Sequence, residues 1–437
     1  MNREILRIAL PNIISNITVP LMGIISTAIA GRCGSDSAFT IGQLAIGVSI
    51  FNMIYWNCSF IRMGTSGLTA QAFGAGDFAE TTRMLIRAVS VALLLGILIL
   101  LFREPIARGA VDIMGGGELS LEYVRARIWA VPAGILLFGT HGWFTGMQNG
   151  TFSMYTALSV NVLHIALSFY LALHQGMGVV GIAYASVVAQ WVGVFVAVSL
   201  LFFNYRKKLV PVSLREVFDP NMIRKFFSVN TDIIIRTFCI VCVYTFFTRA
   251  SVMIGNDNIL AVNTLLLQLF TMYSYMTDGF AYAAEALTGR FIGACDGASL
   301  KRAISRCIGW SLVVSCVFVG VYLIWWRDLL ALFVGNEGDT ATILNLAGEY
   351  IGWIIVIPIA GAFPFLMDGV MVGASFTKTM RNSMLISTAI YFATYLLFEP
   401  LMGNNALWLA FLLFMFLRGM VQYLLTSRLK QIYNVCD

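Results

Sequence analysis

Along the chain, long apolar runs alternate with short polar or basic connections. A helix needs about 20 mainly apolar residues to cross the hydrocarbon core. Twelve runs reach that scale: 5–31, 40–63, 84–102, 121–147, 152–173, 179–203, 226–249, 259–287, 305–326, 343–373, 383–401 and 405–427. They are too long for membrane strands and lack the alternation of a barrel. The pattern predicts an all-α polytopic membrane protein of twelve transmembrane helices. Pro11, Pro20, Pro132, Pro358 and Pro364 fall inside spans and are candidate kinks.

The most polar connection is 204–225, with six basic residues and two prolines, Pro211 and Pro220. It reads as a cytoplasmic linker between an N-lobe, 1–203, and a C-lobe, 226–437, of six spans each. An internal repeat supports the division. Leu68-Thr69, Gly74-Ala75, Asp77, Arg83 and Arg87 recur 219 residues later as Leu287-Thr288, Gly293-Ala294, Asp296, Arg302 and Arg306. Further on, Gly142 and Gly146 match Gly369 and Gly373 at an offset of 227, and Pro132 matches Pro358 at 226. A six-span unit returns the chain to its starting side, so the copies run parallel. Parallel halves with a site between them are a transporter architecture.

Composition agrees with the pattern. Of 437 residues, 59% are hydrophobic and only 11% charged, and mean hydropathy is +0.82. A soluble core stops growing at roughly 250–300 residues, so a soluble enzyme, a nucleic-acid binder and a disordered chain are excluded. The +6 net charge is read through its position instead. With the N-terminus inside, 18 of the 28 Lys and Arg fall on the inner side, Arg428 and Lys430 among them, and 7 on the outer side. Both termini are therefore expected in the cytoplasm. The eight Cys lie mostly in apolar runs, as small hydrophobes do, and not in a disulfide framework. Met1-Asn2-Arg3-Glu4 leads directly into an apolar run, with no small-residue cleavage site close behind it.

A charge at the centre of a span costs about 2.5–3.5 kcal/mol on insertion scales, so each needs a reason. The acids are lopsided: Asp232, Asp278, Glu285 and Asp368 all lie in the second half, with Glu399 near a span end. Asp232 and Arg236 are four apart and share a helix face. They read either as an ion or proton site tuned by a cation or as a structural salt bridge. Asp278 and Glu285, seven apart, share a face with Tyr273, Tyr275 and Tyr282 nearby. Two acids on one helix point to a cavity, as does Asp368 beside Gly369. Burial favours the neutral acid, which lets a carboxyl group take up a proton near neutral pH. The same carboxylates could bind a hard cation such as sodium, so the coupling ion stays open between the two.

His164 is mid-span and reads as a hydrogen-bonded structural residue or as a titratable group. The Cys239/Cys242 pair has no partner pair for zinc, and His141, His164 and His174 lack metal-site spacing. No Walker motif, zinc-protease motif or nucleophile elbow is present, so the sequence predicts neither an enzyme nor a bound cofactor or metal.

These residues together resemble the multidrug and toxic compound extrusion (MATE) transporters, and within them the DinF-like branch. The resemblance rests on Leu10-Pro11-Asn12, Arg62-Met63-Gly64-Thr65 leading to Gln71, Val229-Asn230 with Asp232 and Arg236, and Asp278-Gly279 through Leu287. It continues in Asp368-Gly369 with Gly373, Met380-Arg381-Asn382-Ser383, Gly403-Asn404 with Leu407–Ala410, and Arg418-Gly419. It implies two six-helix lobes around a central cavity in a bacterial inner membrane. It also implies efflux of small organic, often cationic, compounds in exchange for protons or sodium. Where the family usually has acids in spans 1 and 5, this chain has Ser26-Thr27 and, after Asn161, His164 and Ser168. Coupling is therefore expected through Asp232, Arg236, Asp278, Glu285 and Asp368, with Ser26, Asn161, His164 and Ser168 as a possible N-lobe cavity. One chain can complete such a cavity, so a monomer suffices, with a small organic substrate and the bilayer as partners and no nucleic acid. Alternatives are a flippase for a lipid-linked precursor, a transporter that has lost coupling, and a non-transporting membrane sensor or enzyme.

Overall fold

A computed structural model describes residues 1–33, 37–333 and 340–425. Arg428, Lys430 and the end of the last expected span lie outside the described residues. The chain divides into two units. One is Leu10–Asn230; the other is Thr231–Asp437 together with Met1–Ala9. All regular elements among the described residues are helical.

The first unit contains most of α1 (Asn2–Ala30), then α2 (Ser37–Cys58), α3 (Phe60–Gly74), α4 (Phe78–Leu101), α5 (Arg103–Ile113) and α6 (Glu118–Arg127). After the 3-10 turn Ile128–Ala130 come α7 (Val131–Gly146), α8 (Gly150–Ser168) running into a π-helical turn to His174, α9 (Gly178–Tyr205) and the short α10 (Leu214–Val217). The second unit is built from long helices: α11 (Pro220–Met253, whose first turns belong to the first unit), α12 (Asp257–Gly293), α13 (Gly297–Ala331), α14 (Thr340–Gly373), α15 (Thr377–Met402) and α16 (Asn404–Leu425).

Eleven of these segments are long and apolar enough to cross a membrane. The expected span 121–147 differs from the rest. It is broken into α6, the 3-10 turn and α7, with Arg125 and Arg127 in the last turn of α6 and Pro132 at the start of α7. A proline fits the first turn of a helix, where no N–H partner is needed, but not the middle. The run therefore restarts at Val131. Outer faces carry lipid-compatible side chains, with Leu101, Phe203, Leu397 and Leu401 all at least 70% exposed. In the interior of the second unit, Phe247, Phe270, Tyr273, Tyr391, Trp408 and Phe411 form an aromatic core.

The repeat seen in the sequence is carried into the backbone of each unit. In the first, a Cβ on Gly142 would stand 2.4 Å from the Arg62 carbonyl oxygen, and one on Gly146 would stand 2.8 Å from that of Ser66. In the second, Gly369 and Gly373 take the same places at 2.2 and 2.3 Å from the carbonyl oxygens of Ala281 and Glu285. Each glycine pair thus lets α7 lie against α3, or α14 against α12, almost backbone to backbone, as small residues do between membrane helices. The turns repeat too. Gly76 and Cys295 both have positive φ (74° and 55°), as do Gln148 and Ser375 (63° and 59°). Asp77 and Asp296 both cap the next helix, on the N–H of Glu80 and of Ser299.

Because the obstruction is backbone, Gly369→Val is expected to destabilise the detergent-solubilised protein by roughly 1–3 kcal/mol. Gly352→Ala, where nothing lies within 4 Å of the added carbon, should be neutral or slightly stabilising. Thermal unfolding of both variants checks this.

The linker is anchored to the first unit through α4. The Arg87 guanidinium, 2% exposed, donates to the carbonyls of Val217 (2.6 Å) and Glu216 (3.1 Å) and to Glu80 (2.6 Å). Arg83 binds Glu216 at 2.7 Å and Glu80 at 3.0 Å. Arg87→Ala removes the only one of these anchors that is buried. It is expected to speed tryptic cleavage at Arg215 several-fold, whereas the more exposed Arg83→Ala should change it little.

Candidate functional site

The second unit gathers charges from four of its helices. Asp368, 5% exposed, lies on α14 five residues before the helix ends. The Arg236 guanidinium from α11 forms a short ion pair with its Oδ2, and Arg418 from α16 stands 3.7 Å from the same oxygen. Gln422, one turn after Arg418, donates its amide to Oδ1 at 2.6 Å. Two cations and an amide thus converge on one carboxylate. Arg418 also lies over the Phe365 ring, 4.6 Å from its centroid, one turn before Asp368.

Asp232, 3% exposed, stands one turn before Arg236 on α11, as the spacing predicts. The two are nevertheless engaged elsewhere. Asp232 accepts from Arg381 (2.7 Å) and from the Thr377 hydroxyl (2.9 Å), both on α15, while Arg236 goes to Asp368. The shared face therefore serves two neighbouring helices. A buried ion pair of this kind holds its partners strongly in place, because removing either one leaves an uncompensated charge.

Asp278 and Glu285 occupy α12. Asp278 is half-buried, and Tyr244, Tyr273 and Tyr275 are within its electrostatic reach. Glu285 is 1% exposed. Its own backbone carbonyl is the one that Gly373 packs against, so the acid sits within the close α12–α14 contact.

In the first unit three of the four expected N-lobe residues come together. His164 is 4% exposed. Its Nε2 is 3.1 Å from the Ser26 hydroxyl and 3.5 Å from that of Ser168, and its Nδ1 is 3.1 Å from Ser186. The Ser186 hydroxyl also lies 3.2 Å from the Ile182 carbonyl, so it can serve the ring or that carbonyl. Asn161, the fourth, turns instead to the Thr18 hydroxyl on α1. Interhelical hydrogen bonds between membrane helices average about 0.6 kcal/mol. Ser186→Ala is expected to cost about that much, and His164→Ala two to three times as much, in thermal or denaturant unfolding.

Sequence reasoning did not find Ser186, Thr377, Arg381, Arg418 or Gln422 as partners. A mid-span arginine is itself a signal, since it requires a nearby acid, and Arg236 and Arg418 both lead to Asp368. His141 was also passed over. At the 227-residue offset it is the counterpart of Asp368. Its Nε2 is buried without a hydrogen-bond partner among the described residues, and Arg62 is within electrostatic reach. Among the described residues no group of three His, Cys, Asp or Glu could hold a metal ion.

Two helical units built on a parallel repeat, with charged side chains inside apolar helices, define a polytopic membrane transporter. The MatE family model matches residues 11–170 and 234–396, and the chain belongs to that family of multidrug efflux transporters. It is 35% identical to DNA damage-inducible protein F of Escherichia coli (strain K12), over 96% of this chain and 90% of that one. It is 22% identical to a probable multidrug resistance protein NorM of Bradyrhizobium diazoefficiens, over 93% and 89% of the two chains. A multidrug resistance MATE family transporter solved in an outward-facing conformation shares the fold, with a TM-score of 0.88 at 18% identity over 99% of this chain and 96% of that one. A MOP superfamily transporter from Pyrococcus furiosus, described as having a binding pocket of reverse polarity, also shares it, with a TM-score of 0.86 at 18% identity over 98% and 96%. The resemblance read from the motifs, DinF-like branch included, holds across the chain.

Proposed function

We propose that this protein is a secondary active antiporter of a bacterial inner membrane, with both termini cytoplasmic. It exports small organic, often cationic, compounds by alternating access in exchange for protons or sodium. The observation that supports the reading is a pair of acids on one face of α12, Asp278 half-buried and Glu285 1% exposed, inside an otherwise apolar span. Asp232 and Asp368 are committed to arginines from other helices, so neutralising either one would leave an arginine without its carboxylate. These two acids hold α11, α14, α15 and α16 in register. Asp278 and Glu285, on one face of α12, are the acids that exchange the coupling ion, and Tyr244 and Tyr275 supply the apolar and cation–π surroundings that an organic cation favours. His164 is a second titratable group. Its two serine hydroxyls at Nε2 can accept from the ring when a proton sits there.

A flippase would need free cations for a lipid-linked pyrophosphate. The charge of Arg236 is already answered by Asp368, which favours the exporter. In proteoliposomes loaded with a fluorescent organic cation, a pH or sodium gradient imposed separately is expected to drive movement with one of the two ions and not with its dissipation. Movement with neither, across several cationic substrates, would sink the antiporter reading.

A further inference from the structure

The second unit also carries a basic groove on α13, apart from the acids of α11, α12 and α14. It has a volume of about 640 Å³ and runs along the start of α13 beside Asn2. Lys301, Arg302 and Arg306 line one end, and Trp310 and Val313 the other. Arg306 is the last charge before twenty uncharged residues, Cys307–Trp326, so it marks the point where the helix enters the hydrocarbon. The cations therefore lie at headgroup depth and the apolar wall lies just inside. Trp310 is held flat against Phe280, with ring centroids 6.1 Å apart and planes at 13°.

The repeat shows what such a surface does when it is filled. At the 219-residue offset Thr82, Arg83 and Arg87 are the counterparts of Lys301, Arg302 and Arg306. In the first unit the linker covers them. The Val210 N–H donates to the Thr82 hydroxyl, Glu216 pairs with Arg83, and the carbonyl of Val217 accepts from Arg87. The local acid Glu80 serves both arginines. In the second unit the counterpart of Glu80 is the uncharged Ser299. Among the described residues Arg302 donates to the Ala298 carbonyl (3.4 Å) and the Ser299 hydroxyl (3.2 Å). Asp296 is within its electrostatic reach, but no ion pair to Lys301, Arg302 or Arg306 forms among the described residues.

We propose that this groove binds an anionic phospholipid, with the phosphodiester against Lys301, Arg302 and Arg306 and an acyl chain along Trp310 and Val313. Basic recesses between spanning helices at the cytoplasmic face are suited to anionic headgroups. A zwitterionic lipid would bring a cation of its own and gain less. The binding is independent of substrate or coupling ion.

The test is native mass spectrometry of the full chain in detergent, titrated with dioleoyl phosphatidylglycerol or with dioleoyl phosphatidylcholine. Each basic contact near a membrane surface is worth about fivefold in affinity. R302A/R306A is therefore expected to weaken phosphatidylglycerol binding by tenfold or more, without changing phosphatidylcholine. R302K/R306K keeps the charges and should keep most of the affinity, which separates charge from misfolding. R103A, a cation lost elsewhere, should have no effect. Millimolar inorganic phosphate should fail to compete. The proposal is overturned if R302A/R306A and R103A bind phosphatidylglycerol alike, or if inorganic phosphate displaces it, which would make the site one for a soluble anion. It is equally overturned if the unmodified protein shows no preference for phosphatidylglycerol, as when another occupant covers the groove, the chain's own residues 426–437 included.

Discussion

Asp368→Ala is expected to destabilise the solubilised protein by about 3–5 kcal/mol, the usual cost of stripping one partner from a buried ion pair. The reason is the asymmetry of the cluster. One carboxylate answers Arg236 and Arg418 and also takes the Gln422 amide, so its loss strands the buried Arg418 and the largely buried Arg236 at once. Arg236→Ala should cost less, because Arg418 remains 3.7 Å from the carboxylate. The double variant Arg236→Ala/Asp368→Ala should cost clearly less than the two single losses combined, since the second change removes a charge that the first had stranded. Denaturant unfolding of the three variants tests this. Additive losses, or an Asp368→Ala protein as stable as the parent, would mean that the cluster does not hold the helices.

The second large effect falls on activity rather than stability. Glu285→Gln is expected to bring gradient-driven transport down to the rate of protein-free vesicles. An amide can keep hydrogen bonds but cannot exchange a proton or bind a cation by charge. Asp278→Asn should do the same. Asp232→Asn should behave in the opposite sense, losing stability through Arg381 and Thr377 while the surviving folded protein still couples. A fluorescent-cation assay run beside thermal unfolding separates the two groups of acids. If Asp232→Asn abolished coupling and Glu285→Gln preserved it, the roles assigned here would be reversed.

What the sequence made legible follows from which forces are local. Apolar length alone located eleven of the spanning segments, because insertion into hydrocarbon depends on the composition of each segment. The run 121–147 is helical too, but with Pro132 in its middle it is divided into α6, a 3-10 turn and α7. The repeat was legible because Gly142, Gly146, Gly369 and Gly373 sit where helix backbones nearly touch and no side chain fits. Their identity is fixed by sterics and survives when neighbours change. Pairing was not legible. Asp232 and Arg236 are adjacent on a helix face, yet each is taken by a residue at least 130 positions away. Only the packing of α11 against α14 and α15 decides that. The serine cluster lay between these extremes. Ser26, His164 and Ser168 were found as departures from a family pattern, but Ser186 looks like any small polar residue of an apolar helix until α8 and α9 pack.

The most direct test of the central claim is ion release on substrate binding. The purified protein is equilibrated in weakly buffered detergent solution with a pH indicator, with and without sodium, and an organic cation is added. If Asp278 and Glu285 exchange the coupling ion for substrate, the unmodified protein releases protons on binding in a sodium-free solution, or releases bound sodium at constant pH. Asp278→Asn/Glu285→Gln releases neither. Release of the same size from that double variant, or substrate binding by the unmodified protein with no ion released, would contradict the account.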